Sequence, residues 1–256
     1  MKTIALIALL ILGAGGFVWS MNGSNAAHTI LIGDAKARPL GTSLIAVMNI
    51  TNTGQPDRLL SASLSDSELN GELYSPVDPK GAPIPVGKSS LSLDGAHIRL
   101  PGKGYSAGSL VPITLNFERA GKVRVKAQLS DPAKRGGAAD YGLIGMGGIC
   151  VAGPGEPAPA IDLAVAPDGE GWKVSIITDE FEFSKELMGL YHLPGIGHGH
   201  LYVGGMKLGR LLEPEARIGA LPPGQHEVQV TLNTNDHRAY VVGDEPVTAS
   251  VMITVD

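Results

Sequence analysis

The chain contains a single cysteine among 256 residues. One thiol closes no internal disulfide, so the fold is not a disulfide-stapled scaffold even in an oxidising compartment. Cys150 is left as a buried inert thiol, a soft metal ligand or an intermolecular link, and the inert reading weighs most. Charge is also sparse: 18% of residues are Asp, Glu, Lys or Arg, the formal net charge is -5, and no basic run occurs. A nucleic-acid-binding surface is therefore not expected. Catalytic signatures are missing too. There is no nucleophile elbow, no zinc-protease helix motif and no phosphate loop, so the chain is not expected to be an enzyme.

Long apolar runs are limited to one, Ile4 to Val18, which is shorter than the roughly 20 residues of a membrane span. Lys2 precedes it, and Ser24 and Ala26 occupy the −3 and −1 positions of a cleavage site. Residues 1–26 are thus expected to be a secretory signal, leaving a periplasmic protein with no membrane span after cleavage. Cleavage after Ala26 makes Ala27 the first mature residue, which argues against a copper chelate at a His28 terminus.

What is abundant is glycine and proline, 35 and 18 residues, within a chain that is 43% hydrophobic. That mixture favours many short strands joined by turns. In the first half, strands are expected at Thr29–Ile32, Leu44–Thr51, Arg58–Leu64, Glu72–Tyr74, Ser90–Leu93, His97–Leu100, Val111–Glu118 and Val123–Leu129. Pro76 to Gly87 reads as a Pro/Gly-rich connection. Asp131 to Pro159 is rich in Gly, Ala and Pro and reads as a linker. About seven strands follow, closing with the strict alternation of Val247–Val255. The chain is expected to be all-β, with two β-sandwich domains at 27–130 and 160–256, the second immunoglobulin-like.

The stretch that proposes chemistry is Gly197-His198-Gly199-His200-Leu201-Tyr202-Val203. Alternate side chains on a strand share a face, so His198, His200 and Tyr202 lie together while Leu201 and Val203 face a core. Downstream, Val228 to Leu232 reads as a strand running on to His237, with Thr231, Asn233, Asn235 and His237 on one parity. If the two strands are close in one sheet, a third imidazole meets the first two. Three neutral imidazoles suit copper or zinc. The expected metal ligands are His198, His200 and His237, with His192 as a fourth and Asp236 or Met206 as its alternatives. Tyr202 can hydrogen-bond a ligand from behind, Asp236 can equally make an Asx turn, and His226 is given no role.

The first half also resembles a known family, the periplasmic copper chaperones called PCu(A)C, over about residues 28–130. The resemblance is carried by Met48-Asn49-Ile50-Thr51-Asn52-Thr53-Gly54 with Asp57-Arg58-Leu59, by Gly95-Ala96-His97-Ile98, and by Val111-Pro112-Ile113-Thr114-Leu115-Asn116-Phe117-Glu118 with Ala120-Gly121-Lys122-Val123. It implies a cupredoxin-like first domain and Cu(I) held by histidine and methionine. The ligand positions depart from that pattern. His-x-Met reads His97-Ile98-Arg99, Tyr74 stands at the earlier histidine, and Ser75 to Gly87 contains no methionine. The first domain is expected to keep the fold without the metal site, leaving His97 as a surface or hydrogen-bonded histidine. Met146 with Cys150 would supply two sulfurs in the linker, an incomplete set. The pattern of the second half resembles a β-sandwich of bacterial secreted proteins, some of them beside copper-handling domains.

The expectation is a periplasmic copper-binding protein, with zinc the alternative metal, acting as chaperone or buffer toward a periplasmic or membrane cuproprotein. The rival is a metal-free scaffold or assembly module. Whether His198, His200 and His237 converge separates the two.

Overall fold

The computed structural model describes residues 29–67, 69–75, 81–102, 104–130 and 148–256. The expected signal segment and linker residues 131–147, Met146 included, lie outside them. Among the described residues every regular element is a strand, so the chain is all-β. No helix there is long and apolar enough to cross a membrane.

The first half carries β1 (Ile30–Leu40), β2 (Ser43–Asn52), β3 (Asp57–Leu64), β4 (Glu72–Tyr74), β5 (Ala82–Ile84), β6 (Gly87–Leu91), β7 (His97–Pro101), β8 (Leu110–Phe117) and β9 (Gly121–Leu129). Alternation drives them. In β8, Val111, Ile113, Leu115 and Phe117 are buried while Pro112, Thr114 and Asn116 are half-buried. The ladder runs β4–β7–β2–β1–β9–β8–β3–β5, and Asn70 bridges back to Ser63 in β3. Leu59, Ile84, Ile98, Leu115 and Phe117 fill the core inside. Two expectations are corrected here. β1 extends well past Ile32, because a bulge between Gly33 and Lys36 lets it resume pairing with β2. The presumed connection before Gly87 contains β5, since Ala82-Pro83-Ile84 is apolar enough to bury all three residues against β3.

The second half carries β10 (Ile149–Val151), β11 (Ala160–Asp168), β12 (Gly171–Asp179), β13 (Glu182–Phe183), β14 (Ile196–Val203), β15 (Met206–Leu211), β16 (Glu215–Ile218), β17 (Gly224–Thr234), β18 (Ala239–Val242), β19 (Glu245–Pro246) and β20 (Thr248–Val255). β11, β12 and β16 form one antiparallel sheet. It faces a second layer, β15–β14–β17–β20. Leu163, Val174, Ile176 and Ile218 from the first sheet meet Leu201, Val203, Leu211, Val228, Val230 and Ile253 from the second. The end of the presumed linker is also structured, because β10 pairs in parallel with β18.

The halves are welded. Lys207 of β15 pairs with Ser90 of β6, and Met206 is fully buried in the first core. Ala96 N donates to Gly205 O at 2.7 Å, Val86 N to Ala220 O at 3.0 Å, and Arg58 Nη2 to Pro223 O at 3.1 Å. Gly95 permits the approach, since a β-carbon there would lie 2.3 Å from Gly205 O. Gly95→Ala must therefore push backbone from backbone. It is expected to cost about 1–3 kcal/mol, read by calorimetry as a lowered transition in which the two halves unfold less cooperatively.

Candidate metal centre

β14 runs between β15 and β17, and every residue from Gly197 to Val203 is buried. The chain fits tightly there: a β-carbon on Gly197 would lie 2.0 Å from Asn233 O. His198 and His200 project from the face opposite Leu201 and Val203, as strand parity requires. His198 is directly opposite Asn233 and His200 opposite Thr231 on β17. Both rings are sealed, at 0% and 1% exposure.

His237 joins them by a different route from the one the alternation suggests. β17 ends at Thr234, and the chain turns through Asn235 and Asp236. Thr234 Oγ1 and Arg238 Nε donate to the Asp236 carboxylate, and His237 N donates to Thr234 O at 3.0 Å. His237 itself takes a left-handed conformation, φ +66°, a region in which few residues other than Gly are found and where Asn, Asp and His are enriched. That turn swings the ring back over His198.

The result is a compact set of nitrogens. His198 Nε2 lies 3.1 Å from His200 Nε2 and 3.3 Å from His237 Nδ1. One nitrogen from each ring falls within 4.8 Å of the others. Imidazole–metal bonds of 2.0–2.1 Å at tetrahedral angles would put ligand nitrogens about 3.3 Å apart. His198 Nε2 has a single in-plane lone pair and two ring-nitrogen neighbours, a crowding that one shared cation resolves. His198 Nδ1 is buried with no hydrogen-bond partner. The three nitrogens are therefore spaced as the ligands of a metal ion would be, and His198, His200 and His237 are the residues that could hold one.

The electrostatics keep these rings neutral. Burial, then the neighbouring His200 and His237, push His198 from 6.5 down to about 2. Burial and Arg210 push His237 down to about 4. Burial lowers His200 as well, although Asp94 works in the other direction. Behind His200, Lys207 Nζ lies 3.1 Å and Tyr202 Oη 3.3 Å from Nδ1. Both also donate to Asp94 Oδ2, at 2.6 and 2.8 Å. Burial opposes ionisation of Asp94, but bonding to His200 and the charge of Lys207 hold it far below the usual carboxylate range.

His192 is not brought into this cluster. The Leu193–Ile196 bridge folds it back toward β10, where Nε2 lies 3.6 Å from Cys150 Sγ. Of the alternatives for a fourth ligand, Asp236 is bonded to Thr234 and Arg238, and Met206 is in the first core. Tyr202 stands against His200, where its parity places it. In the first half, the Tyr74 and His97 rings stack at 4.8 Å, His97 Nδ1 meets Gly95 O at 3.1 Å, and Arg99 faces Glu72 at 3.7 Å. His97 is buried rather than on the surface. Among the described residues no other group of three His, Cys, Asp or Glu converges.

Sequence reading missed Asp94, Lys207 and Arg210. Asp94 reads only as half of an Asp-Gly turn, and nothing local ties it to a strand more than 100 residues away, at Tyr202. Arg210 is a directly opposed neighbour of His200, a pairing that becomes visible only once the register is known.

No family model matches the chain, and no curated protein does. Among solved structures, it is similar to a copper-bound PCuAC domain from PmoF2, at 25% identity and a TM-score of 0.37, over 41% of this chain and 95% of that one. An apo PCuAC domain from PmoF1 gives 23% identity and 0.36 over 41% and 96%. The Salmonella enterica SafA pilin in complex with the SafB chaperone gives 11% and 0.25 over 89% and 96%. With TM-scores this low, these likenesses decide nothing about the chain's function.

The depressed histidines make a pH prediction for the metal-free protein. Below the ordinary imidazole value of 6.5 the unfolded chain takes up protons that the folded chain refuses. The stability of the neutral cluster is thus complete above that value and is lost as pH falls, through about 4 for His237 and about 2 for His198. Thermal midpoints are expected to drop steadily between roughly pH 6.5 and pH 4. His237→Asn, which tolerates the left-handed backbone, should flatten that slope when midpoints are measured across the same range.

Proposed function

We propose that the chain binds a copper ion through His198, His200 and His237 and carries it as cargo in the periplasm. The observation that carries the reading is the convergence of three neutral ring nitrogens, two of them on fully buried rings, at ligand spacing. No carboxylate or thiolate belongs to that set, and imidazole nitrogen suits copper, zinc, nickel and iron. Among divalent ions of that series the affinity of such a site peaks at Cu(II), above Zn(II). His237 is the only one of the three not fully buried, so the ion would enter and leave beside it. A ligand at the exposed edge suits cargo that must be handed to an acceptor, and a periplasmic or membrane cuproprotein is the acceptor this reading requires. The PCu(A)C-like stretches of the first half, around Met48–Gly54 and Val111–Glu118, support copper handling rather than catalysis.

The test is metal content of the full chain after loading with Cu(II), Cu(I) or Zn(II) and desalting, beside the His198→Ala/His200→Ala variant. A single equivalent of copper retained by the native protein and lost in the variant is the expected result. Retention of zinc but not copper would move the assignment to zinc. No retained metal would leave a metal-free scaffold.

A further inference from the structure

We propose that Asp94, a residue of the first domain, is a positioning residue for His200 and thereby sets the metal affinity of a site whose ligands all belong to the second. This rests on metal binding by the histidine cluster.

The argument is one of tautomers. A neutral imidazole carries its proton on one nitrogen only, and the other is the ligand. The nitrogen of His200 that faces His198 is Nε2, so metal binding requires the proton on Nδ1. Three groups surround Nδ1, and they disagree. Lys207 Nζ, 3.1 Å away, has only donors to offer, so its contact favours the tautomer with the proton on Nε2, which blocks the site. Tyr202 Oη, at 3.3 Å, spends its own proton on Asp94 and keeps lone pairs to accept from Nδ1–H. Asp94 Oδ2, at 3.6 Å, is purely an acceptor. The carboxylate therefore acts in two ways. It orients the Tyr202 hydroxyl so that an acceptor faces Nδ1, and it draws the Lys207 ammonium to itself at 2.6 Å. Arg210, directly opposite His200, adds positive charge to the same face and no acceptor. Among the described residues Asp94 is thus the sole carboxylate against Nδ1. A carboxylate behind a ligating histidine is worth about 10- to 100-fold in metal affinity.

Asp94 also neutralises Lys207, so affinity alone would confuse the two roles, and the number of coordinated nitrogens separates them. Asp94→Asn removes the carboxylate and leaves Lys207 to donate to Nδ1. In the full chain this variant is expected to bind Cu(II) about 10- to 100-fold more weakly than the native protein, with one fewer nitrogen in the electron paramagnetic resonance hyperfine pattern. Native affinity, or weaker binding with the native hyperfine pattern, would show that Asp94 does no more than balance the charge of Lys207, overturning the proposal. A second measurement needs no variant. In the native protein loaded with Zn(II), long-range proton–nitrogen correlation should show the His200 proton on Nδ1, and a proton on Nε2 would overturn the proposal. Native protein that holds neither metal sinks the copper reading itself and this proposal with it.

Discussion

Met206 and Leu211 open and close one short strand, yet they are buried in different hydrophobic cores. That sharing is the constraint on which the rest of the molecule depends. A strand that slipped to suit one core would extract a large side chain from the other, so the register of β15 is set twice. Lys207 lies between these anchors and pairs with Ser90, which puts the Asp94 turn beside the histidine face of β14. Interfaces inside a chain often permit relative motion when they are small and polar. Here the junction is backbone hydrogen bonding plus a core residue.

On the histidine face the energetic problem is how to bury imidazoles beside cations. Removing a charged ring from water is costly, and Lys207 and Arg210 add repulsion, so the rings are held as neutral bases. A neutral ring still has a polar edge to satisfy, and His198 Nδ1 and both polar atoms of the Asn235 amide find no partner. Unsatisfied buried polar atoms are uncommon in folded proteins, and a bound ion or water is one explanation of such an atom. Asp94 offsets the positive charge without itself entering the cluster of ring nitrogens.

Much of this face could be read from residues alone, because strand parity is a local property. Gly-His-Gly-His-Leu-Tyr-Val places His198, His200 and Tyr202 together whatever the tertiary fold, and Thr231 and Asn233 came out opposite them as alternation implies. His237 reached the cluster, but through a turn with left-handed backbone and not along a continuing strand; a run of Asn-Thr-Asn-Asp signals a turn as readily as a strand end. His192 went elsewhere because its direction depends on the turn at Pro194-Gly195 and on β10, which pairs with a strand far away in sequence. The strands at Ala82–Ile84 and Ile149–Val151 were hidden by their Pro/Gly-rich flanks, since composition cannot show that a short segment has a waiting partner. Asp94 was illegible for the same reason on a larger scale: its role exists only where the two halves touch.

The burial of Cys150 bears on chemical durability. Thiol oxidation and exchange proceed through the thiolate, and they need access to solvent. Cys150 is 6% exposed, and burial raises its thiol above the ordinary value. Buried in this way, the residue offers oxidants little thiolate and little surface. A chain with one cysteine has no resolving partner to rescue a sulfenic acid, so keeping this thiol inert protects the protein from irreversible damage and from covalent dimers formed through that sulfur.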